Sequence, residues 1–360
     1  MCRFLLISFL TVFTTYNAIS QGCVAIRSGG MTCSAHTSAQ KTNKSWSLNS
    51  NLRYFKSFRH FVGTDEQKQR VQQGTQVINH VYSLDLTLSK DINSYWSVAV
   101  NLPIVSNTRS SLYEHDKKKR YDTKSFGLGD ARFAVYRWLL NPDKQLNFKR
   151  NIQVGLGIKL PTGDFKYQDH FHITDSTQVL GPVDQSIQLG DGGTGFTLEL
   201  NGFTALYKNL SAYGNFYYLV NPREQNGVST SRGGTTSASS IANGSDVMSV
   251  PDQFMWRVGV NYMIKKFSFA AGVRDECLPV HDLVGGSNGF RRPGYIISVE
   301  PSVSYKLKNF TAYVTVPFAV KRDRTQSVPD KIRTRLTGVY TQGDAAFSDY
   351  TINIGCTFKF

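Results

Sequence analysis

From Trp46 onward the chain alternates apolar and polar side chains with a period of two. Residues 151–161 set Ile152, Val154, Leu156, Ile158 and Leu160 against Gln153, Gly155, Gly157 and Lys159. Tyr82, Leu84, Leu86 and Leu88 alternate with Ser83, Asp85, Thr87 and Ser89, and Trp96, Val98, Val100, Leu102 and Ile104 with Ser97, Ala99 and Asn101. Phe254, Trp256, Val258, Val260, Tyr262 and Ile264 alternate with Gln253, Met255, Arg257, Gly259 and Asn261. The final residues repeat the pattern, with Tyr350, Ile352, Ile354, Cys356, Phe358 and Phe360 on one face. Successive strand side chains point to opposite faces, so each segment predicts a strand with one apolar face. Each face suits the roughly 9–11 residues of a tilted strand that crosses a bilayer.

About twelve such strands result from this period-two reading: 46–60, 76–90, 94–105, 126–139, 151–162, 194–207, 210–221, 252–264, 267–279, 294–306, 309–321 and 346–360. Their connections alternate in length. Lys90–Asn93, Lys208–Asn209, Lys265–Lys266 and Lys308–Asn309 read as tight turns, whereas long polar loops lie near 61–75, 106–125, 163–193, 222–251, 280–293 and 322–345. The expected fold is an all-β, antiparallel transmembrane β-barrel with short periplasmic turns, long extracellular loops and both termini in the periplasm. A soluble sandwich also alternates, but it seldom makes so many strands with this regular short-long order. The closing aromatic strand, with Tyr350, Phe358 and Phe360, resembles the C-terminal assembly signal read by the barrel-assembly machinery. Pro103, Pro161 and Pro301 lack the N–H that a strand interior needs. Two fall near loop-side strand ends, and Pro301 sits deeper, predicting a bulge or shifted register there.

Residues 1–20 read differently. Arg3, the apolar stretch 4–13 and Ala18-Ile19-Ser20 form the three parts of a cleaved signal peptide. Cys23 as a lipidated residue is the weaker alternative, because Ser20-Gln21-Gly22 lacks an aliphatic residue ahead of it. Residues 21–45 then form a Gly-, Ser- and Thr-rich segment, either a plug entering the lumen or a leader, and 46–360 form the barrel. Export permits a Cys23–Cys33 disulfide, while a zinc site would have only His36 beside the two cysteines. Cys277 and Cys356 read as small outward apolar residues. The 360-residue chain carries 41 Lys+Arg against 26 Asp+Glu, a formal +15. Export to a Gram-negative outer membrane nevertheless removes nucleic acid as a partner. The basic clusters Lys117-Lys118-Lys119-Arg120 and Lys321, Arg322, Arg324, Lys331, Arg333 and Arg335 belong to loops, solvated or facing lipopolysaccharide phosphates. Other outer-membrane proteins are further conceivable partners.

With apolar faces toward lipid, the polar faces line a lumen. The Lys265–Lys266 turn puts Arg257 across from Arg274, with Glu276 and Glu300 as their counter-charges. Lys159 is expected to face Glu199 below the 163–193 loop. This ring of mixed charge is either a constriction that selects solutes or a self-satisfied plug. Tyr213 and Tyr217 point inward among Gly, Ser, Thr and Asn. The segment 184–193 has oxygen donors suited to calcium, without the spacing of an EF-hand. No catalytic set emerges: His80 lies on an apolar face, and His36, His115, His170, His172 and His281 fall in the leader or loops. His60 ends a strand. No cofactor is called for, and the protein reads as a non-enzyme.

Two segments, Phe126-Gly127-Leu128-Gly129-Asp130-Ala131-Arg132-Phe133 and Gly157-Ile158-Lys159-Leu160-Pro161-Thr162-Gly163-Asp164, carry a resemblance. They resemble the paired GLGD and KLPTGD strands of the outer-membrane β-barrel family named for a phenol-degradation meta-pathway. The resemblance is clear over residues 126–206, and elsewhere rests on pattern alone. It implies a transporter-like barrel for small aromatic or apolar solutes. Two functions therefore stand side by side. One is a porin-like channel for passive passage of small polar or amphipathic solutes. The other is a closed accessory barrel of an outer-membrane complex.

Overall fold

The period-two segments become strands because the pleat sends their apolar side chains one way and their polar side chains the other. The computed structural model describes residues 45–140 and 149–360. Within them twelve staves close into one antiparallel barrel: β1 (Trp46–Val62), β2 (Ile78–Asp91), β3 (Trp96–Ser111), β4 (Tyr121–Leu128 with Ala131–Trp138), β5 (Arg150–Leu160) and β6 (Gly195–Tyr207). The second half comprises β7 (Leu210–Val220), β8 (Gln253–Ile264), β9 (Phe267–Leu278), β10 (Gly294–Lys306), β11 (Phe310–Thr315 with Phe318–Asp323) and β12 (Ala345–Lys359). Each stave pairs with the next, and β12 returns to β1 from Ser47↔Lys359 to Phe61↔Ala345. Trp46 and Phe360 exchange backbone hydrogen bonds of 2.9 Å at the seam. Closure leaves the sheet no open edge.

The barrel is inside-out relative to a water-soluble protein. Leu156 is 62% exposed and Ile354 51%, while Arg53, Glu199, Arg257 and Glu300 are buried. A continuous apolar outer wall is stable only against lipid. No described helix is long and apolar enough to cross a membrane. The expected signal peptide at 1–20, the expected Cys23–Cys33 pair and all of the 21–45 segment but Ser45 lie outside the described residues. Neither Cys277 nor Cys356 is in a disulfide, and Cys277 is fully buried.

Two prolines place two breaks. Pro103 of β3 has no N–H, and opposite it β4 is interrupted at Gly129-Asp130, where Gly129 N–H donates to the Pro103 carbonyl at 2.8 Å. Pro301 keeps its pairing with Ala271 on β9, but on its other side β11 splits at Val316-Pro317. Val316 N–H donates to the Pro301 carbonyl at 3.1 Å, and the β10–β11 register shifts at Ile297/Ser298. The irregularity expected at Pro301 is thus taken up by its neighbour.

One loop is shorter than expected. β3 and β4 stay paired from Ile104↔Leu128 to Ser111↔Tyr121, so the 106–125 connection shrinks to 112–120. The reason is polar strand ends: Asn107, Arg109, Ser111, Thr123 and Ser125 are buried inward, with little apolar face to mark the strand. The basic 322–345 region also differs. Arg322 and Arg324 are buried and ion-paired, to Asp349 at 2.6 Å and Asp330 at 3.1 Å, and are not solvated loop charges. Lys331, Arg333 and Arg335 ride on helix α1 (Val328–Thr337), started by a Ser327–Asp330 capping box.

Candidate functional site

The loop between β5 and β6 turns inward, and the two glycine-aspartate motifs explain how. The break at Gly129-Asp130 frees Asp130 from the ladder. Its carboxylate accepts from Gly163 N–H at 3.0 Å, from Asp191 N–H at 3.1 Å and from the Lys159 ammonium at 3.5 Å. Thr162 Oγ1 accepts from Ala131 N–H at 2.8 Å and donates to the Gly129 carbonyl at 2.9 Å. The motifs therefore clasp one another, and the clasp gathers the far end of the loop. A Cβ on Gly190 would strike the Asp130 carboxylate, and one on Gly163 would lie 2.7 Å from the Leu189 carbonyl oxygen. Only glycine permits that approach.

Between the clasp points the chain dips into the barrel. A single 3₁₀ turn, Gln185–Ile187, is capped by the Asp184 carboxylate, which accepts from Ser186 N–H at 3.0 Å. Val183, Ile187 and Leu189 are buried, and the Ile187 carbonyl accepts from Asn107 Nδ2 and Ser125 Oγ on the wall. At the top, Asp184 holds both guanidinium nitrogens of Arg292, at 2.6 and 2.9 Å, and lies 3.4 Å from Arg109. Arg109 also pairs with Glu114 at 2.7 Å, and Glu114 with Arg232 at 2.9 Å. Burial alone raises the pKa of Asp184, yet Arg109 and Arg292 hold it well below the usual carboxylate range. Glu114 is depressed in the same way, burial being outweighed by Arg109 and Arg232.

Lower down, the lumen carries two ion-pair groups. On the β8–β10 wall, Arg257 faces Arg274 in register, as the tight turn predicts. Glu300 bridges them at 3.3 and 3.5 Å, and Glu276 takes Arg274 at 2.8 Å. On the β4–β6 wall the expected Lys159–Glu199 pair does not form. Lys159 stands opposite Gly195, and Glu199 opposite Gly155. Lys159 pairs with Asp191 and Asp130, while Glu199 pairs with Arg132 and accepts from the Tyr136 hydroxyl at 2.9 Å. Arg132, Asp130 and Asp191, absent from the expected ring, are thus members of it. Only Arg132 had a signal in the alternation, on the polar face of its strand; Asp130 sits in the strand break and Asp191 in the loop.

A cavity of about 170 Å³ opens beneath the loop. Its wall combines Arg53, Arg132 and Lys159 with Phe55, Val81, Leu189, Tyr217 and Leu219. Above the loop lies a vestibule of about 390 Å³ bordered by His60, Arg70, Tyr113, Arg109 and Arg232. Arg292 borders both spaces. Toward the short-turn rim, tyrosines lie along the wall. Tyr136 packs where a Cβ on Gly155 would be 2.5 Å away, and the Tyr213 hydroxyl sits 2.6 Å from the Cβ positions of Gly259 and Gly272. A ring laid over glycine occupies the wall and spares the lumen.

The remaining candidates fall elsewhere. His80 faces outward and bonds the Tyr54 hydroxyl at 3.0 Å. His60 has both ring nitrogens engaged, one with Asp344 at 2.9 Å and one accepting from Val77 N–H at 2.9 Å, so it acts as a clamp. Asp184 and Asp191, the carboxylates of the suspected calcium loop, are both spent on cations. Tyr350 and Phe358 lie on the outer face of β12, and Phe358 stacks on Phe360 with ring centroids 5.9 Å apart.

With this geometry in place, solved structures offer a comparison. The chain is similar to the COG4313 outer membrane channel from Pseudomonas putida F1, at 9% identity and a TM-score of 0.58, over 89% of this chain and 96% of that one. That likeness establishes the fold as that of an outer-membrane barrel. A looser one, to the CymD monoaromatic hydrocarbon channel, has 11% identity and a TM-score of 0.41 over 96% and 99% of the two chains. No family model matches the chain, and no curated protein matches it by sequence.

Proposed function

We propose that the protein is a passive outer-membrane channel for small polar or amphipathic solutes, with its long-loop rim outside the cell. The cavity under the inward loop carries this reading. Its apolar residues Phe55, Val81 and Leu219 suit the body of a small molecule, and Arg53, Arg132 and Lys159 suit its polar group. A chamber with both kinds of wall at the centre of a barrel is what a solute passing through would meet. Tyr136 and Tyr213 lie against glycines, a placement that takes up less of the lumen. The fastening of the loop at the Asp130 clasp, the Ile187 carbonyl and Asp184 favours a second reading, a closed barrel that serves as an accessory subunit.

Reconstitution of the purified full chain in planar bilayers separates the two. The channel reading expects discrete current steps, larger when residues 185–189 are replaced by Gly and Ser. If neither protein conducts and the native one co-purifies with a fixed partner, the accessory reading stands.

A further inference from the structure

We propose that the solute is an organic anion, a small carboxylate with an apolar body, and that Asp184 is its resident surrogate. This rests on the channel reading. Asp184 is a carboxylate on a loop, held bidentately by Arg292 and approached by Arg109. Its partners are anchored without it. Arg109 keeps Glu114 and the Asn79 side chain at 3.0 Å, and Arg292 stacks over Phe290 at 4.8 Å. An incoming carboxylate reproduces the bidentate pair that Asp184 makes. Exchange conserves charge at the arginines and releases the top of the loop.

Three observations favour an anion over a cation. The vestibule presents more guanidinium than carboxylate to solvent: the side chains of Arg232, Arg70 and Arg292 are 35%, 27% and 15% exposed, against 21% for Asp344, which Arg70 and His60 hold, and 5% for Glu114. Arg292 borders the vestibule and the chamber alike, so a solute bound there has space on both sides of the loop. Within the chamber Lys159 comes next, paired with the loop carboxylate Asp191, for which the solute can substitute, and the wall cations Arg132 and Arg53 stand beside it. The path is a series of carboxylate exchanges past cations fixed to the wall, and the chamber's apolar residues receive the rest of the molecule.

Bi-ionic potentials across planar bilayers, with potassium hexanoate against hexylammonium chloride, test this on the full chain. The native protein is expected to pass hexanoate in preference to hexylammonium by roughly tenfold, as a charged cleft does. Arg292→Gln should bring that ratio close to one. Asp184→Asn should raise the hexanoate current while keeping the anion preference, because the surrogate no longer competes. Heat-modifiable migration checks that each barrel is folded, and Arg292→Lys, which retains the charge, should keep most of the ratio if the glutamine variant does not fold. A native channel that prefers hexylammonium overturns the inference and leaves the channel reading intact, as does a ratio unmoved by Arg292→Gln or a current unmoved by Asp184→Asn. Absence of current in every protein overturns both.

Discussion

The lumen holds two groups of arginine and carboxylate that differ in what they join. Arg257, Arg274, Glu276 and Glu300 lie on three consecutive staves, two cations with two anions, and bond wall to wall. The group around Asp130, Lys159, Asp191 and Asp184 joins the wall to a loop, and Asp130, Lys159 and Asp191 border open space. The first is a rivet: its charges have nowhere to go, so breaking it strands a buried ion. The second is a fastening: Asp184 and Asp191 ride on a loop rather than on the wall. Equal chemistry therefore ties wall to wall on one side of the barrel and loop to wall on the other.

Substitutions should split along that line. Glu300→Gln leaves Arg257 and Arg274 facing each other over Glu276 alone, a broken buried pair that costs about 3–5 kcal/mol. Denaturant unfolding in detergent should show that loss, with ion selectivity little changed. Asp191→Asn removes one of two carboxylates from Lys159 and should cost about 1–3 kcal/mol, with a visible rise in single-channel current. Gly190→Ala forces a Cβ against the Asp130 carboxylate. Overpacking there should cost about 1–3 kcal/mol, loosening the clasp, and bilayer recordings should show more frequent openings. If Glu300→Gln changes the current and Asp191→Asn only the stability, the contrast between rivet and fastening is wrong.

The smallest effect expected is that of pH. Asp184 and Glu114 have folded pKa values below their unfolded ones, so their contribution is complete above the unfolded values and fades as pH falls through the folded ones. The Asp184 and Glu114 contacts with their arginines should hold unchanged from pH 8 down to about pH 5 and loosen only in stronger acid. Conductance recorded across that range checks it, and a step near neutrality would assign the latch to other groups.

The two regions also differ in how far the chain announces them. Arg257 and Arg274 are joined by the two-residue turn Lys265–Lys266, with Lys265 at a φ of 54°. So short a turn sets the register, and alternation then fixes which side chains meet. Lys159 and Glu199 are separated by the long loop, whose length leaves register open. The true pairing of Lys159 with Gly195 puts Glu199 beside Gly155, out of its reach. The partners that replaced it, Asp130 and Asp191, depend on a strand break and on a loop folding inward, and neither shows as a hydrophobic period.

What the sequence itself determined is the barrel: twelve staves, the short-long order of connections, the inward polar face and the ion group beside a tight turn. These arise from local rules, the pleat of a strand and the geometry of a two-residue turn, which act between neighbours in the chain. Only the tertiary structure decided that residues 161–194 cap the lumen, that Asp130 binds the cap and that Asp184 meets Arg109, Arg232 and Arg292 from three other segments. Those contacts depend on closure of the barrel, which sets distant loops over a common mouth and places their charges where no local rule acts.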